Sequence, residues 1–190
     1  MLQIRFHGRG GQGVVTAAEM LAVAAFLEGE HAQAFPSFGS ERTGAPVVSF
    51  CRIDNREIRL REPILEPDAL IVQDPTLFKA MDVFQGLKAG GYLLVNTNKT
   101  LAELGLGAIV AKLPAGHARA VPASELAIKY VNRPVPNAAL LGAFAALTGI
   151  VHLESVTAAI RDAFPGKIGE ANVAAATAAY EALAAAPKAA

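Results

Sequence analysis

Hydrophobic and polar positions along the first part of the chain follow two different periods. Residues 2–7 alternate as a short strand does. Residues 14–28 carry apolar side chains at most positions, which is typical of a helix buried against a sheet. Gly29 is placed to end that helix, and residues 31–35 predict a second strand. The pattern therefore predicts a strand–helix–strand unit.

The later part of the chain continues this succession of strands and helices. The runs 47–53 and 56–60 flank Asp54-Asn55, which suits a tight turn, so they predict a β-hairpin. Asp74-Pro75 favours the start of a helix, with Asp74 as N-cap and proline in the first turn. Apolar runs predict further strands at 69–73, 92–95 and 108–112, and helices at 124–131, 137–148, 154–164 and 171–185.

This order of elements predicts the fold class. We expect an α/β, Rossmann-like fold with a mostly parallel sheet, a β-hairpin insertion and a helical C-terminal third. The sequence shows no internal repeat and no linker rich in Pro, Gly or Ser, and its 190 residues agree with one domain. We therefore expect a single domain over residues 1–185 and a frayed tail at 186–190.

Composition narrows the class of protein. Hydrophobic residues make up 53% and charged residues 18%, as in a well-buried globular protein. The 17 basic residues balance 17 acidic ones, and aromatic residues are only 6% without Trp, so nothing favours nucleic acid or a membrane surface. The apolar run 138–151 is too short to span a bilayer, which takes about 20 residues. We expect no signal peptide and a cytoplasmic protein.

Cysteine and histidine usage argues against a metal or redox centre held by this chain alone. Cys51 is the one cysteine of the sequence, so the chain cannot form an internal disulfide or hold an iron–sulfur cluster. The four histidines are scattered without metal-ligand spacing. If the protein takes part in redox chemistry, we expect the electron carriers to lie in other chains.

The segment HGRGGQG, residues 7–13, satisfies the pattern G-x-G-x-x-G between a predicted strand and a predicted helix. Such a loop lets backbone N–H groups approach a phosphate at the helix N-terminus. A nicotinamide dinucleotide site also needs an acidic residue at the end of the second strand. That strand ends in Ala34-Phe35-Pro36 instead, which argues against a free-standing dehydrogenase. Either the glycines only permit close packing, or the loop serves a polar ligand or a contact with a partner. The candidate ligand-binding residues are Arg9, Gly10, Gly11, Gln12 and Gly13.

A second loop, residues 36–46, carries further polar groups. If the first two strands run parallel, this loop leaves the same carboxyl edge of the sheet as the glycine loop, where open α/β sheets bind ligands. Arg42 suits forked recognition of a phosphate or carboxylate, and two hydroxyl groups can donate to the same oxygens. The candidate residues are Ser40, Arg42, Thr43 and Gly44.

Other polar residues admit ordinary structural explanations as well. Asp74 is explained as a helix cap as readily as by a site role, and the Asn96–Asn98 segment as turn chemistry. His7 beside the glycine loop favours a hydrogen-bonded structural histidine. Asn137 is typical of a helix cap, and Cys51 of a small buried hydrophobic residue.

Several segments of the chain jointly carry a family resemblance. They are 8–19, from Gly8 to Glu19; 33–39, QAFPSFG; 41–47, ERTGAPV; 137–149, NAALLGAFAALTG; and Glu170-Ala171-Asn172. Together these segments resemble the gamma subunits of pyruvate:ferredoxin oxidoreductase and related 2-oxoacid oxidoreductases. The similarity covers nearly the whole chain in order, and by itself only 36–46 is specific.

The resemblance implies a function. Such enzymes convert a 2-oxoacid, coenzyme A and an oxidised acceptor to an acyl-CoA, carbon dioxide and a reduced acceptor such as ferredoxin. Thiamine diphosphate and iron–sulfur clusters belong to alpha-, beta- and delta-type chains. The gamma subunit is implied to be non-catalytic, to pack on those chains, and to help bind coenzyme A at a subunit interface. The resemblance does not define which 2-oxoacid is used.

One departure from the family pattern concerns the second loop. Ser40 and Thr43 stand where related sequences often carry Pro and Arg. Without an arginine at position 43, the loop lacks one phosphate-binding charge. Two alternatives stay open beside the gamma-subunit hypothesis. These are an independent NAD(P)-binding dehydrogenase and a purely structural interaction subunit.

Overall fold

A computed structural model describes residues 1–37 and 43–185, so the predicted tail at 186–190 lies outside the described residues. Within these residues the sheet has six strands, in the order β2-β3-β1-β4-β5-β6. The strands are β1 Leu2–Arg9, β2 His31–Pro36, β3 Pro46–Asp54, β4 Ala69–Val72, β5 Tyr92–Asn96 and β6 Ala118–Val121. The helices are α1 Val14–Leu27, α2 Gly107–Val110, α3 Ala123–Val131, α4 Asn137–Thr148, α5 Leu153–Ala163 and α6 Lys167–Ala185, with a 3₁₀ helix at Pro75–Lys79.

The directions of the strands define the edge where the loops meet. The run β1-β4-β5-β6 is parallel, as expected of an α/β sheet. β3 lies between β2 and β1 and is antiparallel to both. β2 therefore points the same way as β1, and the loop that follows β2 leaves the carboxyl edge of the sheet. The α/β class and the helical C-terminal part are confirmed.

The predicted hairpin partner of β3 is wrong. Residues 56–60 form no strand. Since β3 is already paired on both sides, it has no free edge to offer them. Instead, the carbonyl groups of Leu60 and Glu62 accept hydrogen bonds from the guanidinium of Arg52, which is buried on β3. The hairpin of this fold is formed by β2 and β3.

The last predicted strand is also misplaced. The sequence predicts a strand at residues 108–112, but Gly107–Val110 is the short helix α2. The sixth strand is β6, which the sequence pattern missed. Only Val121 of its four residues is fully buried, because it is an edge strand, so it lacks a continuous apolar run. Ile109 and Val110 are instead half-buried, and they pack against a cluster around Leu106.

Helices and short segments cover both faces of the parallel half of the sheet. Ile4, Phe6, Ile71 and Leu94 face the helical layer of α1, α4, α5 and α6, and this forms the larger core. The alternate strand residues face the other side, as the two-residue period requires. There they pack on the 3₁₀ helix, on residues 81–87 and on α2. No helix among the described residues is long and apolar enough to cross a membrane.

Candidate functional site at the glycine loop

The glycine loop turns the chain from β1 into α1. Gly11 and Gly13 have φ values of 93° and 69°, in the left-handed region that favours glycine. Gly13 is also the N-cap of α1, and no side chain caps the helix there. A Cβ at Gly13 would collide with the amide of Asn137 at the start of α4. Glycine is therefore required here both by backbone conformation and by packing.

Gln12 is held inside the loop by two hydrogen bonds. Its Oε1 accepts from the backbone N–H of Arg9 at 2.8 Å, and its Nε2 donates to Asp74 Oδ2 at 2.9 Å. The side chain thus ties the loop to the end of β4. The structure assigns Gln12 contacts within the protein, and ligand binding by Gln12 stays a prediction.

Arg9 joins three parts of the chain. Its Nε lies 3.3 Å from Asp74 Oδ2, its Nη2 donates to Thr76 Oγ1 at 2.9 Å, and its Nη1 donates to the carbonyl of Gly44 at 3.0 Å. The guanidinium therefore connects the glycine loop, the 3₁₀ helix and the second loop. The side chain stays 29% exposed, so one face of this cation remains open to solvent.

Asp74 organises this cluster and also caps the 3₁₀ helix, as the sequence predicts. Its Oδ1 accepts from the Thr76 N–H at 2.9 Å and from the Thr76 hydroxyl at 2.6 Å. Burial acts to raise the pKa of the Asp74 carboxyl. Hydrogen bonds from Thr76 and Gln12 and the charge of Arg9 outweigh this effect, so the pKa lies below its ordinary value. Asp74 is therefore a carboxylate at neutral pH.

The second loop meets the glycine loop at this edge. Gly10 N–H donates to the carbonyl of Ala45 at 2.9 Å, and Gly44 N–H donates to the carbonyl of Gly10 at 3.1 Å. Gly10 and Thr43 form a parallel bridge. The predicted meeting of the two loops is confirmed for Thr43 and Gly44. Ser40 and Arg42 lie outside the described residues.

A cavity of about 240 Å³ opens over the first turn of α1. The first N–H groups of a helix have no partner within the helix, and the helix dipole adds a partial positive charge. Thr16 stands at the third helical position and is half-buried. Backbone N–H groups, one hydroxyl and the open face of a guanidinium suit an anionic group. The lining residues are Arg9, Gly10, Gly11, Gly13, Val14, Val15, Thr16 and Val47.

His7 is a structural residue, the explanation that the sequence favours. It is 2% exposed, and its Nε2 accepts from Arg5 Nε at 3.0 Å. Burial, together with the nearby charge of Arg5, lowers the pKa of His7 from 6.5 to about 3. The ring is therefore neutral at physiological pH. Arg5 also donates to the carbonyls of Ile64, Leu65, Val83 and Gln85.

Two other polar residues have structural roles at the same edge. Asn96 donates to the carbonyl of Gln73 and to the hydroxyl of Ser124, both at 2.8 Å, which fixes the start of α3. Asn137 is the first residue of α4 and not its cap, because Pro136 occupies the N-cap position. Its Oδ1 accepts from the N–H of Ala138 at 2.8 Å. Cys51 is fully buried, as expected.

Sequence reasoning missed Thr16 as a cavity residue and Asp74 as the partner of Arg9 and Gln12. Thr16 is the third residue after Gly13, at the start of a helix that the sequence predicts, and this position could have identified Thr16 as a residue of the site. The contacts of Asp74 join residues 62 to 65 positions apart. These contacts depend on the parallel pairing of β1 with β4, which a local sequence pattern does not predict.

A mostly parallel α/β sheet with a glycine loop at the end of its first strand is typical of the Rossmann-like class of folds. Comparison with known proteins narrows the class. Residues 3–182 match the family model described as pyruvate ferredoxin/flavodoxin oxidoreductase. The chain belongs to this family.

Curated relatives agree over nearly the full length. The "Pyruvate/ketoisovalerate oxidoreductases common subunit gamma" of Thermococcus litoralis is 50% identical over 183 residues, which cover 95% of this chain and 96% of the relative. The "Pyruvate synthase subunit PorC" of Methanocaldococcus jannaschii is 49% identical, with the same coverage.

Solved structures support the fold. The pyruvate oxidoreductase subunit PORC of Thermotoga maritima superimposes with a TM-score of 0.78 at 38% identity, covering 95% of each chain. A chain of the 2-oxoglutarate:ferredoxin oxidoreductase from Magnetococcus marinus gives a TM-score of 0.74 at 21% identity. That match covers 99% of this chain but 32% of the longer one, so this fold also occurs within a larger polypeptide.

Proposed function

We propose that this chain is the gamma subunit of a 2-oxoacid:acceptor oxidoreductase. The complex converts a 2-oxoacid, coenzyme A and an oxidised acceptor to acyl-CoA, carbon dioxide and a reduced acceptor of the ferredoxin type. Family membership and about 50% identity to curated gamma and PorC subunits carry this proposal. Thiamine diphosphate and iron–sulfur clusters are assigned to alpha-, beta- and delta-type partner chains.

Within that complex the chain is non-catalytic and contributes to assembly and to coenzyme A binding. The supporting observation is the cavity over α1, where an uncapped helix N-terminus and the open face of Arg9 meet. The pyrophosphate of coenzyme A is an anion that such donors fit. The cavity of about 240 Å³ is large enough for a diphosphate but not for the whole cofactor. The rest of coenzyme A would therefore extend toward partner chains.

The Arg9 side chain is fixed in position beside the cavity without a bound anion. Asp74 and Thr76 hold the Arg9 side chain against the second loop before any ligand arrives. Asp74 also balances the charge of Arg9, so the backbone N–H groups of α1 supply most of the attraction. We expect binding to depend more on the helix N-terminus than on the arginine.

Thr16 offers a direct test in the assembled complex. Thr16→Glu places a carboxylate in the cavity at the third helical position, where acidic residues stabilise a helix, so the fold is retained. Thr16→Gln is the matched neutral control. We expect Thr16→Glu to raise the apparent KM for coenzyme A at least about tenfold relative to Thr16→Gln, which corresponds to about 1.4 kcal/mol. The KM for the 2-oxoacid should not change.

Equal coenzyme A kinetics in the two Thr16 variants would refute this placement. Arg42→Ala provides a second measurement, because the guanidinium of Arg42 suits forked recognition of a phosphate and the sequence places it in the second loop. It should raise the KM for coenzyme A while 2-oxoacid-dependent reduction of the thiamine centre continues. An independent NAD(P)-dependent enzyme is not favoured, because β2 ends in Ala34-Phe35-Pro36 without a carboxylate to bind a ribose.

A further inference from the structure

The sheet ends at β2, and the register shows which backbone groups lie on its outer edge. Ser37 N–H donates to the carbonyl of Val48 at 2.8 Å, which continues the β2–β3 register. In an antiparallel ladder only alternate residues bond to the same neighbour. Ala32 and Ala34 therefore direct their N–H and C=O groups away from β3, toward the open side of the sheet.

Within residues 1–37 and 43–185, the outer edge of β2 has few of the features that usually prevent strand addition. Exposed edges are normally protected by lysine or other charged side chains, by proline, by bulges or by covering elements. β2 has the sequence HAQAFP, with no lysine, arginine or carboxylate, and its proline, Pro36, stands at the last position of the strand, beyond Ala32 and Ala34. The opposite edge strand, β6, carries Arg119, which donates to the carbonyl of Leu183 on α6. The edge at β6 therefore carries a charged side chain that opposes the addition of another strand, and the edge at β2 does not.

A groove of about 420 Å³ runs along this outer edge. It is lined by Ala32, Gln33, Ala34 and Phe35 together with Arg61. Successive side chains of a strand point to opposite faces, so a cavity that touches four consecutive residues follows the strand edge. Four residues of a strand span about 13 Å, which is enough to seat four or five residues of an added strand.

The groove also has a charge preference. Arg61 forms no ion pair with any residue in 1–37 or 43–185. Arg52 lies 5.2 Å above the ring of Phe35, which lines the groove, and its guanidinium is bound to carbonyl groups and to the Gln3 amide oxygen. Arg52 is only 3% exposed and the carboxylate of Glu62 acts on its charge, so the positive charge that the groove presents beside the open backbone groups is that of Arg61. The complement of this groove is an extended segment that carries a carboxylate.

We propose that β2 receives an extended segment of a partner subunit of the oxidoreductase complex. This segment pairs with Ala32 and Ala34 as an added strand and places a carboxylate against Arg61. Main-chain hydrogen bonds supply the attachment in this mode of recognition, and side-chain pockets supply specificity. The inference rests on the proposed function, because it takes the occupant from the same complex.

Hydrogen exchange in the intact complex tests the pairing directly. The amides of Ala32 and Ala34 should exchange at least about tenfold more slowly in the complex than in the isolated full-length chain. Equal exchange rates in the two samples overturn the proposal. If the isolated chain shows the same protection together with concentration-dependent dimerisation, the occupant is a second copy, and the assignment to a partner subunit is wrong.

Two variants test the contribution to assembly. Ala34→Pro removes an outward N–H at a position where an edge strand tolerates proline. Arg61→Glu reverses the charge in the groove without touching the backbone. Arg59→Glu is its matched control, because Arg59 is 84% exposed, pairs with Glu57 and does not line the groove. We expect Ala34→Pro and Arg61→Glu each to weaken association with the rest of the complex at least about tenfold in native mass spectrometry titrations.

The control distinguishes the possible failures. If Arg61→Glu and Arg59→Glu assemble equally well and Ala34→Pro assembles like the wild type, the edge is not the docking site. Gamma-subunit function would still stand if the wild-type chain joins the complex. If the wild-type chain does not associate with thiamine- and iron–sulfur-containing chains at all, the proposed function itself fails.

Discussion

Gly142 lies within α4, where this helix packs against α6. A Cβ at this position would lie 2.6 Å from the carbonyl carbon and 2.8 Å from the Cα of Ala176, and nearer still to the carbonyl oxygen. Carbon atoms in contact normally stay about 3.5–4.0 Å apart. Gly142→Ala therefore requires the two helices to separate by about 1 Å, and no side-chain rotation relieves a contact with backbone.

The expected loss of stability follows from two opposing effects. Overpacking a core costs about 1–3 kcal/mol, and a collision with backbone belongs at the upper end. Replacing glycine by alanine within a helix returns about 1 kcal/mol. We expect Gly142→Ala to lower the free energy of unfolding by about 2 kcal/mol, which for a domain of this size lowers Tm by about 4–8 °C.

Urea denaturation followed by circular dichroism, together with thermal melting, measures this change. The matched control is Gly107→Ala in α2, where a Cβ would meet no atom within 4 Å. The control should be unchanged or slightly stabilised. Ala176→Gly should not rescue Gly142→Ala, because the obstruction is a carbonyl group and not the Ala176 methyl. A Gly142→Ala protein as stable as the control would refute the reasoning.

Two further predictions concern the core and the buried histidine. Phe144→Ala, at a fully buried position of α4, should cost about 3–5 kcal/mol in urea denaturation, and a loss below about 1 kcal/mol would contradict the packing described. His7 has a native pKa of about 3 against 6.5 when unfolded, so only the unfolded state gains its proton between these values as pH falls. Stability should therefore drop by about 1.4 kcal/mol per pH unit from about pH 6 to about pH 4, and His7→Gln should lose this component of the slope. Identical slopes in the wild type and His7→Gln would exclude His7 as its source.

The sequence predicts the elements whose pattern is strong and local. α1 and α4 are found within one residue of their expected limits, because long apolar runs end at glycines or begin after proline. The predicted pairing of 56–60 fails because it needs a free edge of β3, and β1 and β2 occupy both edges. The strand predicted at 108–112 fails for a different reason. α2 shows that a short apolar run does not distinguish a strand from a helix.

The sequence predicts where the candidate site lies in the fold, but it does not predict which side chains contact each other there. The two glycine-containing loops meet because β1 and β2 point the same way, which the order of elements indicates. The bond of Arg9 to Asp74 and Thr76 depends on the parallel pairing of β1 with β4, and no local spacing encodes it. Ligand binding by either loop, the single-domain boundaries and the cytoplasmic location stay predictions.

The position of β3 has a consequence for attempts to redesign cofactor choice. In dinucleotide-binding folds the second strand neighbours the first, so its terminal acid lies one strand spacing from the glycine loop. Here β3 intervenes, and β2 stands two spacings from β1, about 9.6 Å away. Installing Asp or Glu at the tip of β2 would leave that carboxylate too remote to grip an adenosine ribose. Converting this protein into a nicotinamide-dependent enzyme would therefore require a different order of strands in the sheet, which point substitutions cannot produce.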